Sequence, residues 1–272
     1  MEILDAHQHL GLIEDYTKAT GDARAGESLD EREHRTRVEA MDASGIHHGI
    51  IGPAYQYLMP NGAADTSRYN DRIAAFRDRD PRRFPFAIAA IEPRHGQAAV
   101  DEVRRVARHR KMAGVMWHHR LQGCYVDSPW TRKCALAAVE EGLVNFVHSH
   151  HGSLLEAPWR VERLAAECPD APFVVLDGLA GFEETELFYD IAKRRSNIYF
   201  DTGMWNGGTA KPQAAVKVMG AERLVFGSGL YSYPMGWRRT PTVDAIREAH
   251  ISDEAKRAIF SGNLYRLLGK KP

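Results

Sequence analysis

Short apolar runs alternate with amphipathic segments along the whole chain, and this alternation constrains the fold more than any other feature. The amphipathic segments, such as LDEREHRTRVEAMDASG and TRKCALAAVEEG, have the spacing of apolar residues that is typical of helices. The apolar runs predict eight strands, at residues 3–8, 46–52, 84–91, 113–118, 143–148, 172–177, 197–201 and 223–228. Eight β/α units in 272 residues fit a single (β/α)8 TIM barrel, an α/β fold that usually takes about 250 residues.

A doubly wound parallel sheet is the alternative arrangement of alternating strands and helices. That fold would normally need fewer strands or a glycine-rich turn after the first strand, and no G-x-G-x-x-G follows residues 3–8. We therefore expect one barrel domain over residues 1–272.

Two histidines stand two positions apart in the first predicted strand, within MEILDAHQHLG. Because side chains alternate along a strand, Asp5, His7 and His9 are expected to point to one face, and Leu4, Ala6 and Gln8 to the other. Two imidazoles supply two of the three or four ligands that a zinc-type site needs, so a third must come from elsewhere.

Further histidines follow the fourth and fifth predicted strands. His118 and His119 end strand four, and His148, His150 and His151 end strand five. Active sites of TIM barrels lie at the carboxyl ends of the strands, so these side chains are expected to meet those of strand one.

The composition predicts a small ligand. Basic and acidic residues balance at 36 each, so no net charge attracts nucleic acid or an anionic membrane. The three cysteines lack metal-type spacing, and no apolar run approaches the ~18 residues of a membrane span. A cytoplasmic protein is expected, with a homo-oligomer left open.

In several segments the chain resembles the amidohydrolase superfamily. The resemblance is to the amidohydrolase-related branch, which includes aminocarboxymuconate semialdehyde decarboxylase, resorcylate-type decarboxylases and pyrone dicarboxylate lactonase. LDAHQHLG is similar to the D-x-H-x-H signature of strand one, and GLVNFVHSHHG to the histidine segment of strand five. ERLVFGSG and IFSGNLYRLLG are similar to the strand-eight turn and the final helix.

The resemblance implies that His7, His9 and His148 bind a divalent metal, with zinc expected and a metal-free site as the alternative. Two positions depart from the family. Gly178 stands where the family usually has a strand-six histidine, and Gly229 where it has a strand-eight aspartate that binds the metal and can take a proton from water. Both glycines are expected to widen the pocket.

Other side chains must then supply the missing chemistry. His150 and Asp177 are the predicted catalytic residues, because both are expected near the barrel mouth and can exchange protons. The predicted substrate-binding residues are Trp117, His119, Arg120 and Tyr231. Arginine can hold a substrate carboxylate, and the aromatic residues suit a flat ring. Asp201 and Arg94 are further candidates for a carboxylate and a carboxylate clamp.

These residues predict an enzyme that acts on a small carboxylated, cyclic or aromatic substrate, either as a hydrolase or as a nonoxidative decarboxylase. The alternatives are a metal-free lactonase-like enzyme and a non-catalytic barrel that binds a small ligand. The segment 11–29 is predicted to be a lid over the barrel mouth, or else an ordinary solvated insertion. After strand eight, Tyr231, Tyr233 and Trp237 could line a pocket.

Overall fold

The computed structural model describes residues 1–11, 24–150, 152–205, 208–231 and 240–271. The lid prediction for 11–29 therefore falls mostly outside the described residues, as do His151, Tyr233 and Trp237. At the end of that segment, Ser28 caps a helix that begins at Leu29, so Leu29 belongs to the helix and not to a loop.

Parallel strands form one continuous sheet with the order β8-β7-β6-β5-β4-β3-β2-β1-β9. The strands are β1 Leu4–Leu10, β2 His48–Pro53, β3 Phe86–Ala90, β4 Gly114–Trp117, β5 Val144–His148, β6 Phe173–Leu176, β7 Ile198–Asp201, β8 Leu224–Val225 and β9 Leu230–Tyr231. All eight predicted strands are present, and β9 continues the eighth one after a short interruption.

Helices connect and cover the strands. The α-helices are α1 Leu29–Ser44, α2 Ala63–Arg79, α3 Gln97–Arg110, α4 His119–Gln122, α5 Pro129–Glu140, α6 Pro158–Glu167, α7 Phe182–Arg194, α8 Ala210–Met219, α9 Pro241–Glu248, α10 Asp253–Arg257 and α11 Asn263–Leu267. Short 3-10 turns lie at Pro93–His95 and Ala221–Arg223, and a π-helical turn at Ala258–Gly262 joins α10 to α11. Local sequence sets the helix ends: Ser28 and Glu31 form a capping box, and Ser128 accepts the Thr131 N–H ahead of Pro129.

The sheet closes on itself where its last strands meet its first. β9 pairs with β1, and the Ala6 N–H donates to the Phe226 carbonyl at 2.9 Å. Ser228 adds a side-chain connection, because its N–H and hydroxyl both donate to the Asp5 carboxylate. The expected α/β barrel is thus confirmed.

Apolar side chains fill two separate volumes. A cluster inside the barrel takes residues from most strands, including Leu4, Ile88 and Phe146, and packs against Leu264 of α11. A larger cluster lies between the strands and the surrounding helices. Since the barrel interior is packed with side chains, a ligand is expected at its carboxyl end.

A register shift in β1 changes which side chains face the interior. Leu4 and Ala6 lie in the interior cluster, and strict alternation would then turn His7 and His9 away from it. The pairing of β1 with β2 shifts between Asp5 and Gln8, however, so both histidines also face inward above the cluster. The expectation that Leu4 and Ala6 lie on the face opposite the histidines is wrong for this reason.

Candidate metal centre and active site

Three buried imidazoles converge at the carboxyl end of the barrel. His7 and His9 come from β1, and His148 is the last residue of β5. The Nε2 atoms of His7 and His9 are 2.7 Å apart. The ring centre of His148 lies 5.3 Å from that of His7 and 5.5 Å from that of His9. One ligand nitrogen from each ring lies within 4.8 Å of the others, so the three predicted ligands are brought together.

Hydrogen bonds at the far side of each ring orient these nitrogens. His9 Nδ1 donates to the Pro53 carbonyl at 2.6 Å, and His148 Nδ1 donates to the Trp117 carbonyl at 3.0 Å. A carbonyl oxygen can only accept, so the proton of each neutral ring is on Nδ1 and the Nε2 lone pair faces the other rings. His7 Nδ1 pairs with the Asp201 carboxylate at 2.6 Å. This is the outer support that metal-binding histidines usually have, and the donor set fits a divalent metal.

Nearby charges and burial give the three imidazoles different pKa values. Burial lowers the pKa of His7, but Asp177 and Asp201 outweigh it and raise that pKa to about 9. For His9 and His148, burial and the neighbouring histidines hold the pKa well below its usual value. Without a metal, His7 is therefore the protonated ring and its Nε2–H donates to His9 Nε2.

Asp177 brings a carboxylate to the same end of the barrel. Its Oδ1 lies 3.8 Å from His7 Nδ1, and its N–H donates to Asp201 Oδ1 at 2.9 Å. Within the described part of the chain, no group donates a hydrogen bond to Asp177 Oδ1. The residue has a left-handed backbone, with φ of 60°, which is uncommon outside glycine and is often found at functional sites. Burial raises the pKa of Asp177, and the nearby His7 opposes this.

A cavity of about 300 Å³ lies over these groups. His7, His9, His148 and Asp177 line it, and Ser228 and Gly229 close one side. The side chains of Tyr55, Met204, Trp205 and Tyr231 add apolar and aromatic surface. The Tyr231 ring stacks on the His9 ring with centres 4.3 Å apart, and Tyr55 lies 6.0 Å beyond it. The cavity thus has an aromatic wall beside the candidate metal position.

Polar groups from the loops after β4 and β5 form another part of the wall. His118, Arg120 and His150 line the cavity. His118 stacks on His148 with ring centres 4.2 Å apart and planes 6° from parallel. Arg120 Nη1 donates to His150 Nδ1 at 3.3 Å. Of the predicted site residues outside the metal group, Arg120, His150, Asp177 and Tyr231 therefore lie at the cavity.

Two predicted substrate-binding residues lie elsewhere. The Trp117 side chain is fully buried in the outer core, and only its carbonyl serves the site. His119 is also fully buried, pairs with Thr131 Oγ1 at 3.1 Å, and has a pKa lowered by burial to about 3. Neither is among the described residues that line the cavity, so their positions do not agree with substrate contact. Arg94 likewise donates to the Gln122 carbonyl and is absent from the described lining.

The two glycines that depart from the family differ in their surroundings. A Cβ at Gly178 would come within 2.6 Å of Val175 and 2.9 Å of Phe188, so this residue packs against α7 and not against the cavity. The expected widening at Gly178 is wrong, and Asp177, directly after β6, is the residue that reaches the site. At Gly229, which lines the cavity, the described residues leave a Cβ position without a neighbour within 4 Å.

Glu156 is a residue of the candidate site that the sequence did not single out. It lies in the loop between β5 and α6, is fully buried, and accepts hydrogen bonds from three residues of the cavity wall. A glutamate in SLLEAPW has no spacing that distinguishes it from a solvated loop residue, so the sequence offered no signal.

Solved structures with a similar fold include two types of decarboxylase. The 5-carboxyvanillate decarboxylase LigW from Sphingomonas paucimobilis has a TM-score of 0.73 and 16% identity, and the alignment covers 99% of each chain. The 2,6-dihydroxybenzoate decarboxylase from Rhizobium has a TM-score of 0.72 and 19% identity, with 99% of each chain covered. A 5-carboxyvanillate decarboxylase from Novosphingobium aromaticivorans, solved with bound manganese, has a TM-score of 0.70 and 18% identity over 98% and 96% of the chains.

No curated protein matches the sequence significantly. No helix in the described ranges combines the length and apolar character needed to cross a membrane. The sequence model of the amidohydrolase family, however, matches residues 4–270, nearly the whole chain. As the strand-one and strand-five motifs predicted, the chain belongs to the amidohydrolase family.

Proposed function

We propose that this protein is a metal-dependent enzyme that removes a carboxyl group from a small aromatic acid without oxidation. One observation carries the proposal: three imidazole Nε2 atoms converge next to the Asp177 carboxylate, whose Oδ1 accepts no hydrogen bond from the described residues, in a cavity with an aromatic wall. The similar structures support it, since they are decarboxylases of 5-carboxyvanillate and 2,6-dihydroxybenzoate.

The cavity favours a flat ring as substrate. Its volume of about 300 Å³ lies at the lower end of the range for small-molecule sites. Tyr231 stacks on His9, and both Tyr231 and Tyr55 line the cavity, so a flat aromatic ring would meet aromatic surface there.

His7, His9 and His148 would hold the metal. A divalent ion at this position would act as a Lewis acid toward a substrate oxygen. Three imidazoles favour zinc, whereas two similar decarboxylases were solved with bound manganese, so we propose zinc and test both metals. Asp201 keeps His7 oriented, and the carbonyls of Pro53 and Trp117 orient the other two rings.

Asp177 is assigned the proton transfer. When the bond between ring and carboxyl carbons breaks, carbon dioxide leaves and the electron pair stays on the ring carbon, which must then take a proton. Asp177 Oδ1 lies at the cavity without a hydrogen-bond donor among the described residues, so this carboxyl group is placed where it can pass a proton to the ring carbon. The other predicted catalytic residue, His150, also lines the cavity and accepts a hydrogen bond from Arg120.

The experiment distinguishes decarboxylation from hydrolysis. Protein loaded with zinc or manganese is given hydroxybenzoates, hydroxyisophthalates and cyclic ester carboxylates in deuterated water. We expect carbon dioxide release with deuterium on the vacated ring carbon. Ester cleavage without carbon dioxide would assign a hydrolase instead, and binding without turnover of any compound would assign a non-catalytic binder. Fractionation of the source cells would test the proposed cytoplasmic location.

A further inference from the structure

The N-terminus of α9 forms one side of the cavity. The residue before this helix, Thr240, and its first two residues, Pro241 and Thr242, all line the cavity. The helix end is fixed from α1, because the Thr240 N–H donates to the Ser44 hydroxyl at 2.9 Å. In TIM barrels, a helix N-terminus beside the last two strands is a frequent site for a bound phosphate. The position of α9 in the fold is thus one where anions bind.

The first N–H groups of α9 are available to a ligand. Such groups have no partner within a helix, and a side chain at the cap usually accepts from one of them. Thr240 makes no capping bond of this kind. Pro241 has no N–H, so the donors of this turn are the N–H groups of Thr242 and Val243. The helix dipole adds a partial positive charge that favours an anion here.

Two buried hydroxyl groups stand at the same end of the helix. Thr240 and Thr242 are only 7% and 6% exposed, and both line the cavity. Neither hydroxyl makes a hydrogen bond within the described part of the chain. Because a buried hydroxyl without a partner costs free energy, this arrangement points to a ligand that accepts hydrogen bonds.

The donors of this turn carry no formal charge. They are the hydroxyls of Thr240 and Thr242 and the N–H groups of Thr242 and Val243, which we call the α9 subsite. The acidic residue of the turn, Asp244, lies 3.9 Å from Arg247 and is not among the described residues that line the cavity. The α9 subsite therefore offers an anion several neutral donors from one rigid element.

The reaction decides which group of the substrate suits neutral donors. When carbon dioxide leaves, the carboxylate passes its charge to the ring, so any group that stabilises this charge before the bond breaks opposes the step. A bound metal or the Arg120 guanidinium would oppose it with a full positive charge. Hydroxyl and N–H donors hold the carboxylate in place with a smaller effect on its charge.

We propose that Thr240, Thr242 and the N-terminus of α9 bind the carboxylate that the reaction removes, so that the metal is left to another oxygen of the substrate. A substrate with a single carboxylate is sufficient for this arrangement. The identity of the departing carboxylate rests on the proposed function, while the subsite itself stands on the donors of α9.

The test measures binding and needs no turnover. Benzoate and benzamide have the same shape but differ in one charge, and neither carries a ring hydroxyl to activate loss of carbon dioxide. Calorimetry compares the two ligands for the wild type, Thr242→Val, Arg120→Gln and the control Thr185→Val, each with and without metal. Thr185 lies on α7, where its hydroxyl donates to the Gly181 carbonyl, and it is not among the described lining residues.

We expect the wild type and Thr185→Val to bind benzoate at least about tenfold more tightly than benzamide, with or without metal, as for a charge-assisted contact. In Thr242→Val this ratio should fall to near one, because a hydrogen bond to a charged acceptor is lost. A merely structural role of Thr242 would weaken both ligands equally. Thr242→Ser keeps a hydroxyl and should retain the ratio. If Thr242→Val does not fold, Thr242→Ala should show the same fall.

A wild-type ratio near one, or a ratio that is intact in the folded Thr242→Val or Thr242→Ala variant, would overturn the subsite. A ratio that is lost in Arg120→Gln or on removal of the metal, but not in the Thr242 variants, would assign the carboxylate to that group instead. A ratio that depends on Thr242 in a protein that releases no carbon dioxide from any acid would refute the proposed reaction and leave the subsite standing.

Discussion

His7 and His9 face each other with their Nε2 atoms 2.7 Å apart, although both rings are already bonded through Nδ1. Two nitrogen lone pairs at this distance would repel each other, so a cation must lie between them. In the metal-free protein that cation is the extra proton of His7, and a metal held by these rings would replace that proton. The arrangement therefore ties metal binding to the release of a proton.

Proton release gives the first prediction. Because the pKa of His7 is raised to about 9 and those of His9 and His148 are lowered, only His7 is charged in the metal-free site at pH 7. Binding should then release about one proton, and the apparent affinity should fall about tenfold for each pH unit below 9. Calorimetry in buffers of different ionisation enthalpy measures the proton number. Release of none at pH 7 would show that His7 is neutral before the metal binds.

The second prediction concerns the support of His7. In Asp201→Asn the carboxylate that accepts from His7 Nδ1 is replaced by an amide, so the ring loses its orientation and part of its basicity. Loss of such a partner typically lowers metal affinity by about 10- to 100-fold. Competition with a chelator measures the change, with Asp190→Asn on the exposed face of α7 as the control. Equal affinities in the two variants would contradict the role given to Asp201.

The third prediction separates catalysis from metal binding. Asp177→Asn removes the proton donor but keeps a side chain that tolerates the left-handed backbone at this position. The turnover number for decarboxylation should fall by about 10² to 10⁴, with the metal content unchanged. Steady-state kinetics and elemental analysis of the same sample provide both values. If turnover stays within a few-fold of the wild type, another group supplies the proton.

The fourth prediction restores a carboxylate at the strand-eight position. Gly229 lines the cavity, and no described atom lies within 4 Å of the Cβ that Gly229→Asp would add. A carboxylate there would neutralise part of the metal's charge, so the affinity for zinc should increase.

Backbone strain needs its own control, because Gly229 has φ of 65°. Gly26 has a similar φ of 76° and open space around its Cβ position, so Gly26→Asp carries the same strain away from the site. Thermal unfolding compares the stability of the two variants, and a zinc titration compares their affinities. If Gly229→Asp binds zinc no more tightly than Gly26→Asp, the carboxylate does not reach the metal.

The barrel was predictable because short apolar runs mark the strands and the spacing of apolar residues marks the helices. All eight predicted strands are present in the structure. The convergence of His7, His9 and His148 was also predictable, because the carboxyl ends of parallel strands meet at one end of a barrel for any conformation of the loops. The β1 register shift was not predictable, since it depends on pairing with β2 and not on alternation within β1.

Side-chain direction at the strand ends was the main source of error. Trp117 and His119 flank His118 at the end of β4, but only His118 points into the cavity. Gly178 and Asp177 are adjacent, and the unusual backbone of Asp177 decides which of them faces the site. Such choices follow from packing against residues distant in sequence, as do the contacts of Glu156.

The central claim is that His7, His9 and His148 hold one divalent metal, and a metal titration of chelator-treated protein tests it most directly. Wild type, His148→Ala and His109→Ala are titrated with zinc and with manganese, since His109 is an exposed residue of α3 far from the site in sequence. We expect one ion per chain in the wild type and in His109→Ala, and binding that is lost or sharply weakened in His148→Ala. A wild type that takes up neither ion at micromolar concentration, or a His148→Ala variant that binds equally well, would contradict the account.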